Sequence, residues 1–147
     1  MTSQVSQPKK LIYRFDEGDA SMADILGGKG SNLSEMVRLG LPVPPGFVIS
    51  TEASREYFSL GHKSPDALEE GVQENIRLLE KTIGRKFGST DHPLLLSVRS
   101  GAKVSMPGMM DTILNLGLND ATVEGLATGS GDARFAWDSY RRFIQMY

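Results

Sequence analysis

The sequence predicts an α+β domain, because short β-prone runs alternate with segments that have the periodicity of amphipathic helices. The run 11–15, Leu-Ile-Tyr-Arg-Phe, is expected to form the first strand, and the polar residues 16–19 after it favour a turn. The clearest helix follows Ser64-Pro65, a capping hydroxyl with a proline at the first helical position. Apolar residues then recur at three- and four-residue spacing from Val72 to Ile83, as on the packed face of a helix.

Two shorter helices and a strand are predicted between these elements. Apolar side chains within 33–37 share one face of a helix that ends at Gly40. Three prolines within 42–45 oppose further helix, so the chain is expected to be extended over 46–49. Thr51 is then positioned to cap a second short helix.

The C-terminal part is predicted to contain two strands and one helix. The run 94–96, Leu-Leu-Leu, indicates a buried strand that continues to Arg99, and the loose alternation of 112–118 indicates another strand. A final helix is expected to begin at Asp132 and to carry one apolar stripe of Ala136, Tyr140, Phe143 and Tyr147. Because this helix is still apolar at its last residues, the chain is expected to stop within an element and to leave the domain incomplete at its C-terminus.

The composition excludes several classes of function. Hydrophobic residues make up 39% and charged residues 23% of the 147 residues, as in ordinary soluble domains. A net charge of −2 gives no reason to expect nucleic-acid binding, and no apolar run approaches the ~20 residues of a membrane span. The absence of cysteine excludes disulfides, thiolate zinc sites and cysteine nucleophiles. The polar residues 1–10 predict a disordered leader on a cytoplasmic protein, followed by one domain over 11–147.

A first candidate anion site is the Gly-Gly-Lys-Gly sequence at 27–30. It matches neither the Walker loop, which needs Ser or Thr at the position of Gly30, nor the dinucleotide-binding fingerprint. We expect Lys29 to lie on a flexible loop just before a helix, where glycine backbone, helix dipole and ammonium group all favour anions. A solvated turn is the alternative interpretation of this short motif.

A second candidate is the strand that ends at Arg99 and the Gly/Ser/Met-rich loop after it. An arginine so close to an apolar strand is expected to be partly desolvated and therefore to need a partner. That partner is either a carboxylate such as Asp111 or a phosphate, whose oxygens match the guanidinium fork. The residues proposed to cover a phosphate are Gly101, Ser105, Gly108, Met110, Asp111 and Thr112. His62 and His92 are expected to be exposed and lie in no nucleophile or metal-binding pattern.

Several motifs together resemble the pyruvate, phosphate dikinase family over about residues 11–147. They are Phe-Asp-Glu-Gly at 15–18, Leu-Gly-Gly-Lys-Gly at 26–30, Gly-Leu-Pro-Val-Pro-Pro-Gly-Phe at 40–47, the stretch 97–117, and Asp-Ser-Tyr-Arg-Arg-Phe-Ile-Gln-Met-Tyr at 138–147. The related phosphoenolpyruvate synthases share the glycine-lysine loop and the strand-borne arginine. After Val-Arg-Ser, however, they usually continue into an acidic loop that contains Phe-Ala-Gly. The Met-Pro-Gly-Met-Met-Asp-Thr sequence at 106–112 favours the dikinase.

The resemblance implies the N-terminal portion of an ATP-grasp type nucleotide-binding domain. The family interconverts ATP, phosphate and pyruvate with AMP, diphosphate and phosphoenolpyruvate, and a phosphohistidine on a swivelling domain carries the phosphoryl group. The family's lysine and arginine that bind ATP phosphates match Lys29 and Arg99, and the loop from Gly101 to Asp111 would close over those phosphates. The resemblance also implies Mg²⁺ with the ATP and a homo-oligomeric full-length enzyme.

The resemblance further implies that essential parts lie beyond residue 147. These are the carboxylates that bind Mg²⁺, the carrier histidine and the domain that binds pyruvate, since neither His62 nor His92 matches the carrier motif. We therefore expect no catalytic residue in this chain and no activity of the chain alone. Two alternatives stay open: a portion of a phosphoenolpyruvate synthase-like dikinase, which uses water in place of phosphate, and a non-catalytic nucleotide-binding or interaction module.

Overall fold

The structure, a computed structural model, describes residues 9–101 and 111–147. The chain divides into two compact units, and the boundary between residues 75 and 76 falls within a long helix. The first unit contains residues up to 75 together with Gly101, and the second contains 76–100 and 111–147 among the described residues. Helices and three two-stranded sheets make up the described part, which confirms the α+β class.

The first unit begins with strand β1 (Ile12–Arg14) and contains helix α1 (Ala23–Arg38), strand β2 (Phe47–Ile49), helix α2 (Thr51–Ser59) and the first half of helix α3 (Asp66–Ile83). Two 3-10 turns, Phe15–Glu17 and Ala20–Met22, connect β1 to α1. The predicted strands and helices of this unit are present, but α1 begins at Ala23, before the Gly-Gly-Lys-Gly sequence that was expected to precede it, and α3 begins one residue after Pro65.

Strands β1 and β2 pair antiparallel, with Ile12 opposite Ile49 and Arg14 opposite Phe47. The unit's buried core is formed by both β1 and α2, and partly buried side chains from β2 and α3 complete it: Leu11, Ile12, Ala53, Phe47, Leu68 and Val72. The first half of α3 thus packs on the β1–β2 sheet through the face that its sequence periodicity predicts.

One cap in this unit differs from the prediction. Ser50, not Thr51, is the residue that precedes α2, and its hydroxyl donates to the carbonyl oxygen of Lys10 at 3.3 Å. The hydroxyl of Thr51 donates instead to the carbonyl of Asp24 in α1 at 2.8 Å. The sequence offered two adjacent hydroxyl residues, and a long-range contact decided which of them lies inside the helix.

The second unit contains strands β3 (Lys86–Phe87), β4 (Pro93–Leu94), β5 (Leu96–Arg99) and β6 (Thr112–Leu116), followed by helices α4 (Thr122–Ser130) and α5 (Ala133–Met146). Strands β3 and β4 pair parallel, whereas β5 and β6 pair antiparallel. Strand β6 ends two residues before the predicted end. Asp132 caps α5 as predicted, because its carboxylate accepts a hydrogen bond from the backbone nitrogen of Phe135 at 2.9 Å.

Helix α4 was not predicted, because its sequence contains glycine, threonine and serine, which are poor helix formers. Hydrogen bonds at the start of α4 compensate for this low helix propensity. The hydroxyl of Thr122 accepts from the backbone nitrogen of Asn119 and donates to the carbonyl of Gly117, both at 2.8 Å. The side chain of Asn119 accepts from the backbone nitrogens of Ala121 and Thr122. Thr122 and Val123 are fully buried, so packing and capping hold a helix that propensity disfavours.

The core of the second unit lies between α4, α5 and the end of β6. It is formed by buried and partly buried apolar side chains, namely Leu118, Val123, Ala136, Leu95, Leu126, Ala127, Tyr140 and Phe143. Three residues of the predicted α5 stripe therefore pack inward. The fourth, Tyr147, has 85% of its surface exposed. Within the part of the chain that the structure describes, no helix is both long enough and apolar enough to cross a lipid bilayer.

Candidate functional site

Helix α1 consists of two helical segments that join at Gly27. This residue has φ 71° and ψ 169°, a backbone conformation that is practically confined to glycine. Gly27 is also buried, and a side chain at this position would impose backbone strain. The kink divides α1 into a short first segment and a second segment over 28–38.

Lys29 lies in the first turn of the second segment, within α1 and not on a loop before a helix as predicted. The reason is that the helix continues on both sides of Gly27 with only this one non-helical residue between. The position still has the electrostatic property that the prediction required, because the first turn of a helical segment favours anions. The lysine is exposed, whereas the next residue, Gly30, is buried.

Gly30 has a packing role in this motif. A Cβ atom at this position would lie 3.1 Å from both methyl carbons of Val48 and 3.2 Å from the Cβ of Leu26. The absence of a side chain therefore lets α1 approach strand β2 closely. Of the motif's glycines, Gly27 makes the kink and Gly30 allows the approach, so both serve to set the backbone that carries Lys29.

Arg99 is the last residue of strand β5 and pairs with Thr112 of β6. The single strand predicted from the leucines to Arg99 is divided at Leu95 into β4 and β5, and the expected partial desolvation of Arg99 is wrong, because residues 97–100 are exposed. The buried end of the run is Leu94, and the strand leaves the core as it proceeds. Within residues 9–101 and 111–147, Arg99 forms no ion pair, so Asp111 is not the structural partner that the sequence left open.

The predicted phosphate-covering loop falls mainly outside the described residues. Ser105, Gly108 and Met110 are among those not described. At its ends, Gly101 and Asp111 are exposed, and the carbonyl of Asp111 accepts from the backbone nitrogen of Ser100 at 3.1 Å and from its hydroxyl at 2.9 Å. Lys29 belongs to the first unit and Arg99 to the second.

A network of ion pairs surrounds the turn after β1 in the first unit. The ammonium of Lys10 lies 2.7 Å from Glu17 Oε1, and the backbone nitrogen of Arg14 donates to Glu17 Oε2 at 2.8 Å. The guanidinium of Arg14 donates to both oxygens of Asp16. This last hydrogen-bonded contact holds the pKa of Asp16 below its ordinary value. Burial raises the pKa of Glu17, but the hydrogen bonds from Lys10 and Arg14 together lower it by more than burial raises it. The pKa of Glu17 therefore also lies below its ordinary value.

The depressed pKa values predict that the first unit loses stability in acid. A carboxyl group with a lowered folded-state pKa contributes stability that is present above its unfolded pKa and is lost as the pH falls through the folded value. We expect protection of the β1 amides against hydrogen exchange to decrease below about pH 4.5. The Glu17→Gln variant should show a smaller decrease between pH 7 and pH 3, because it has no titrating group at this position. Glu70→Gln, an exposed position in α3, is the matched control, and an equal effect there would contradict the assignment.

A contact that sequence reasoning missed ties α5 to the start of α4. The hydroxyl of Tyr140 donates to Asp120 Oδ1 at 2.6 Å, and this bond raises the pKa of Tyr140. No local sequence signal pairs these two residues, because they are distant along the chain. His62 and His92 are exposed, as predicted, and each has a positive φ.

The chain is similar in sequence to known phosphotransferases. A sequence model of the pyruvate phosphate dikinase AMP/ATP-binding domain matches residues 23–66, the part that contains α1, β2 and α2. Pyruvate, phosphate dikinase of Clostridium symbiosum is 59% identical over 138 residues, which is 94% of this chain and 16% of that protein. The enzyme of Rhizobium meliloti (strain 1021) is 61% identical over 142 residues, again 94% of this chain and 16% of that protein. The chain is similar to the part of pyruvate, phosphate dikinase that contains its AMP/ATP-binding domain.

The similarity extends to plant enzymes and covers the positions of both candidate ligands. The chloroplastic pyruvate, phosphate dikinase 1 of Oryza sativa subsp. japonica is 51% identical over 151 residues and matches 100% of this chain. A match of 138 residues in a chain of 147 necessarily includes the positions of Lys29 and Arg99. The chain spans about 16% of the length of the relatives that it matches.

Proposed function

We propose that this chain binds the phosphates of ATP through Lys29 and Arg99, as part of a pyruvate, phosphate dikinase. The observation that carries the proposal is the identity of 59% with such an enzyme over 94% of the chain. The exposed ammonium of Lys29 in a helical first turn, and the exposed guanidinium of Arg99 at a strand end, are each suited to a phosphate. The domain would be of the ATP-grasp type, which the α+β class permits.

The reaction proposed for the whole enzyme converts ATP, phosphate and pyruvate into AMP, diphosphate and phosphoenolpyruvate, and it is reversible. A histidine outside this chain would accept the phosphoryl group and pass it on. Phosphoryl transfer depends mainly on the positioning of charge, so the contribution of Lys29 and Arg99 is to hold the phosphate oxygens and offset their charge. The exposed positions of both residues leave them accessible to ATP from solvent.

Magnesium would enter this site with the nucleotide. Among residues 9–101 and 111–147, no group of three or more carboxylate or histidine side chains is arranged to hold a metal ion. We therefore assign no metal ligand to these residues. When bound, the ion would neutralise phosphate charge, and the two basic residues would add to that effect.

Titration of ATP against the 147-residue chain tests the proposal. Each of Lys29→Ala and Arg99→Ala should weaken ATP binding about tenfold to 100-fold, since one hydrogen bond to a charged group contributes roughly 1.5–3 kcal/mol. Lys63→Ala in the first unit and Arg134→Ala in the second remove exposed cations elsewhere and should leave the affinity unchanged. Unchanged affinity in both Lys29→Ala and Arg99→Ala would overturn the site assignment.

Competition experiments separate phosphate recognition from recognition of the base. Inorganic tripolyphosphate should displace ATP from the chain, whereas adenosine should not, because both proposed ligands contact phosphate alone. Displacement by adenosine and not by tripolyphosphate would contradict the proposal. In the full-length enzyme, consumption of inorganic phosphate during turnover distinguishes the dikinase from the synthase-like alternative, which consumes water.

A further inference from the structure

Asn115 has an unusual backbone conformation for a residue inside a strand. Its φ is 60°, in the left-handed region, and it lies within β6. The other described non-glycine residues with positive φ, His62 and His92, lie outside the strands. Asparagine tolerates this conformation better than most residues, whereas β-branched residues do not.

The pairing of β5 with β6 changes register at Asn115. Val98 lies opposite Ile113 and Arg99 opposite Thr112, but Leu96 lies opposite Leu116. Two steps along β5 therefore correspond to three steps along β6, so β6 contains one extra residue between Ile113 and Leu116. This is a β-bulge, and a left-handed residue is a usual way to accommodate one.

The bulge determines which side chain lies beside Arg99. Cross-strand partners share a face of the sheet, so Ile113 and Leu116 both lie on the face of Val98 and Leu96. If the two strands paired regularly, with Leu116 still opposite Leu96, Ile113 would lie opposite Arg99 in place of Thr112. The bulge therefore gives Arg99 a small polar neighbour, whereas Val98 would have an apolar partner in either register.

The side chain of Asn115 ties the bulge to α5. Its amide nitrogen, Nδ2, donates to the carbonyl oxygen of Ser139 at 3.2 Å, and Ser139 is a buried residue of α5. The hydrogen bond joins the irregular point of the sheet to a helix that packs in the core of the same unit. Asn115 thus contributes both the left-handed backbone of the bulge and a side-chain hydrogen bond to α5.

We propose that Asn115 is a positioning residue for Arg99: it holds the β6 bulge and thereby keeps Arg99 opposite Thr112 in the geometry that binds phosphate. The inference rests on the proposed role of Arg99 in ATP binding. Asn115 itself touches no phosphate. Its effect on ATP binding passes entirely through the register of β5 and β6.

The register is tested directly in the 147-residue chain by nuclear Overhauser contacts between the strands. In Asn115→Val, the left-handed conformation is disfavoured, and we expect Val98 to lose its contact with Ile113 and to gain one with Leu114. Affinity for ATP should fall about tenfold, as for direct loss of an Arg99 contact. Reduced affinity with an unchanged register would overturn the proposal, as would an altered register with unchanged affinity.

A second variant keeps the test valid if Asn115→Val does not fold. Asn115→Gly retains the left-handed backbone and removes only the hydrogen bond to Ser139, so we expect a loss of affinity of about two- to tenfold. Unchanged ATP affinity in Asn115→Gly would show that the side chain of Asn115 does not have the proposed role. Val123→Ala, a buried change in the same unit, is the control for general destabilisation and should not alter ATP affinity in the folded protein.

A double-mutant cycle separates this inference from the proposed function. If Asn115 acts through Arg99, its substitution should have no further effect on ATP affinity in the Arg99→Ala background. Additive losses would overturn the positioning role and leave the phosphate role of Arg99 intact. No effect of Arg99→Ala on its own would overturn the proposed role of Arg99 and, with it, the role of Asn115.

Discussion

Replacement of Gly125 by alanine is expected to destabilise the second unit by about 1–3 kcal/mol, although alanine is the better helix former by about 1 kcal/mol. A Cβ atom at Gly125 would lie 2.2 Å from the carbonyl oxygen of Thr90 and 2.6 Å from its carbonyl carbon. Backbone atoms cannot rotate away as a side chain can, so α4 or the segment before β4 would have to move. The steric cost should therefore exceed the gain in helix propensity.

Urea unfolding measures this effect through tryptophan fluorescence. Trp137 is the only tryptophan of the chain and lies on α5 of the same unit. Gly129→Ala, in the same helix, is the matched control, because the three atoms nearest to its Cβ would all belong to the imidazole of His92, with Nδ1 at 2.5 Å. That side chain is exposed and can rotate, so Gly129→Ala should be neutral or stabilise by up to about 1 kcal/mol. Equal destabilisation by both substitutions would contradict the steric explanation.

Replacement of Gly27 by alanine is expected to cost about 1–3 kcal/mol and to weaken ATP binding as well. An alanine cannot adopt φ 71° and ψ 169° without strain, so the two segments of α1 would have to join differently. The first turn that carries Lys29 would then move relative to β2. Loss of protection against hydrogen exchange in α1 measures the first effect, and ATP titration measures the second.

Gly40→Ala is the control for Gly27→Ala. Gly40 also has positive φ, at 74°, but a Cβ atom at this position would have no neighbouring atom within 4 Å, and the residue follows the end of α1. An alanine in this left-handed conformation should cost about 1–2 kcal/mol and leave ATP affinity unchanged. If Gly27→Ala alters stability no more than Gly40→Ala does and leaves ATP binding intact, the kink has no role in presenting Lys29.

The parts of the fold that the sequence predicts are those in which local pattern and tertiary packing agree. The periodicity of 72–83 predicted α3, and Asp132 predicted the start of α5, because spacing and capping are local properties of the chain. The strand that carries Arg99 was predicted from the leucines before it. Of the two candidate ligands, Arg99 lies on a strand as predicted, whereas Lys29 lies within α1 and not on the predicted loop.

The remaining features depend on contacts between residues distant in sequence. Helix α4 forms despite its glycines because Thr122 and Asn119 cap it and Val123 is buried against α5. The kink at Gly27 was not predicted, because the glycines of 27–30 indicated a loop and not a helix that continues through them. The exposure of Arg99 could not be inferred from the leucine run, since the chain can pass from a buried residue to solvent within a few residues.

The pairing of Ile12 with Ile49 has a consequence for the order of folding. All of α1 lies between these two strands, each of which has only three residues. Closing a loop of that length in a disordered chain costs about 3 kcal/mol in entropy beyond a constant, and so short a ladder returns few hydrogen bonds. Formation of α1 shortens the loop before the strands meet. We therefore expect the β1–β2 sheet to form late in folding, after the helix that carries Lys29.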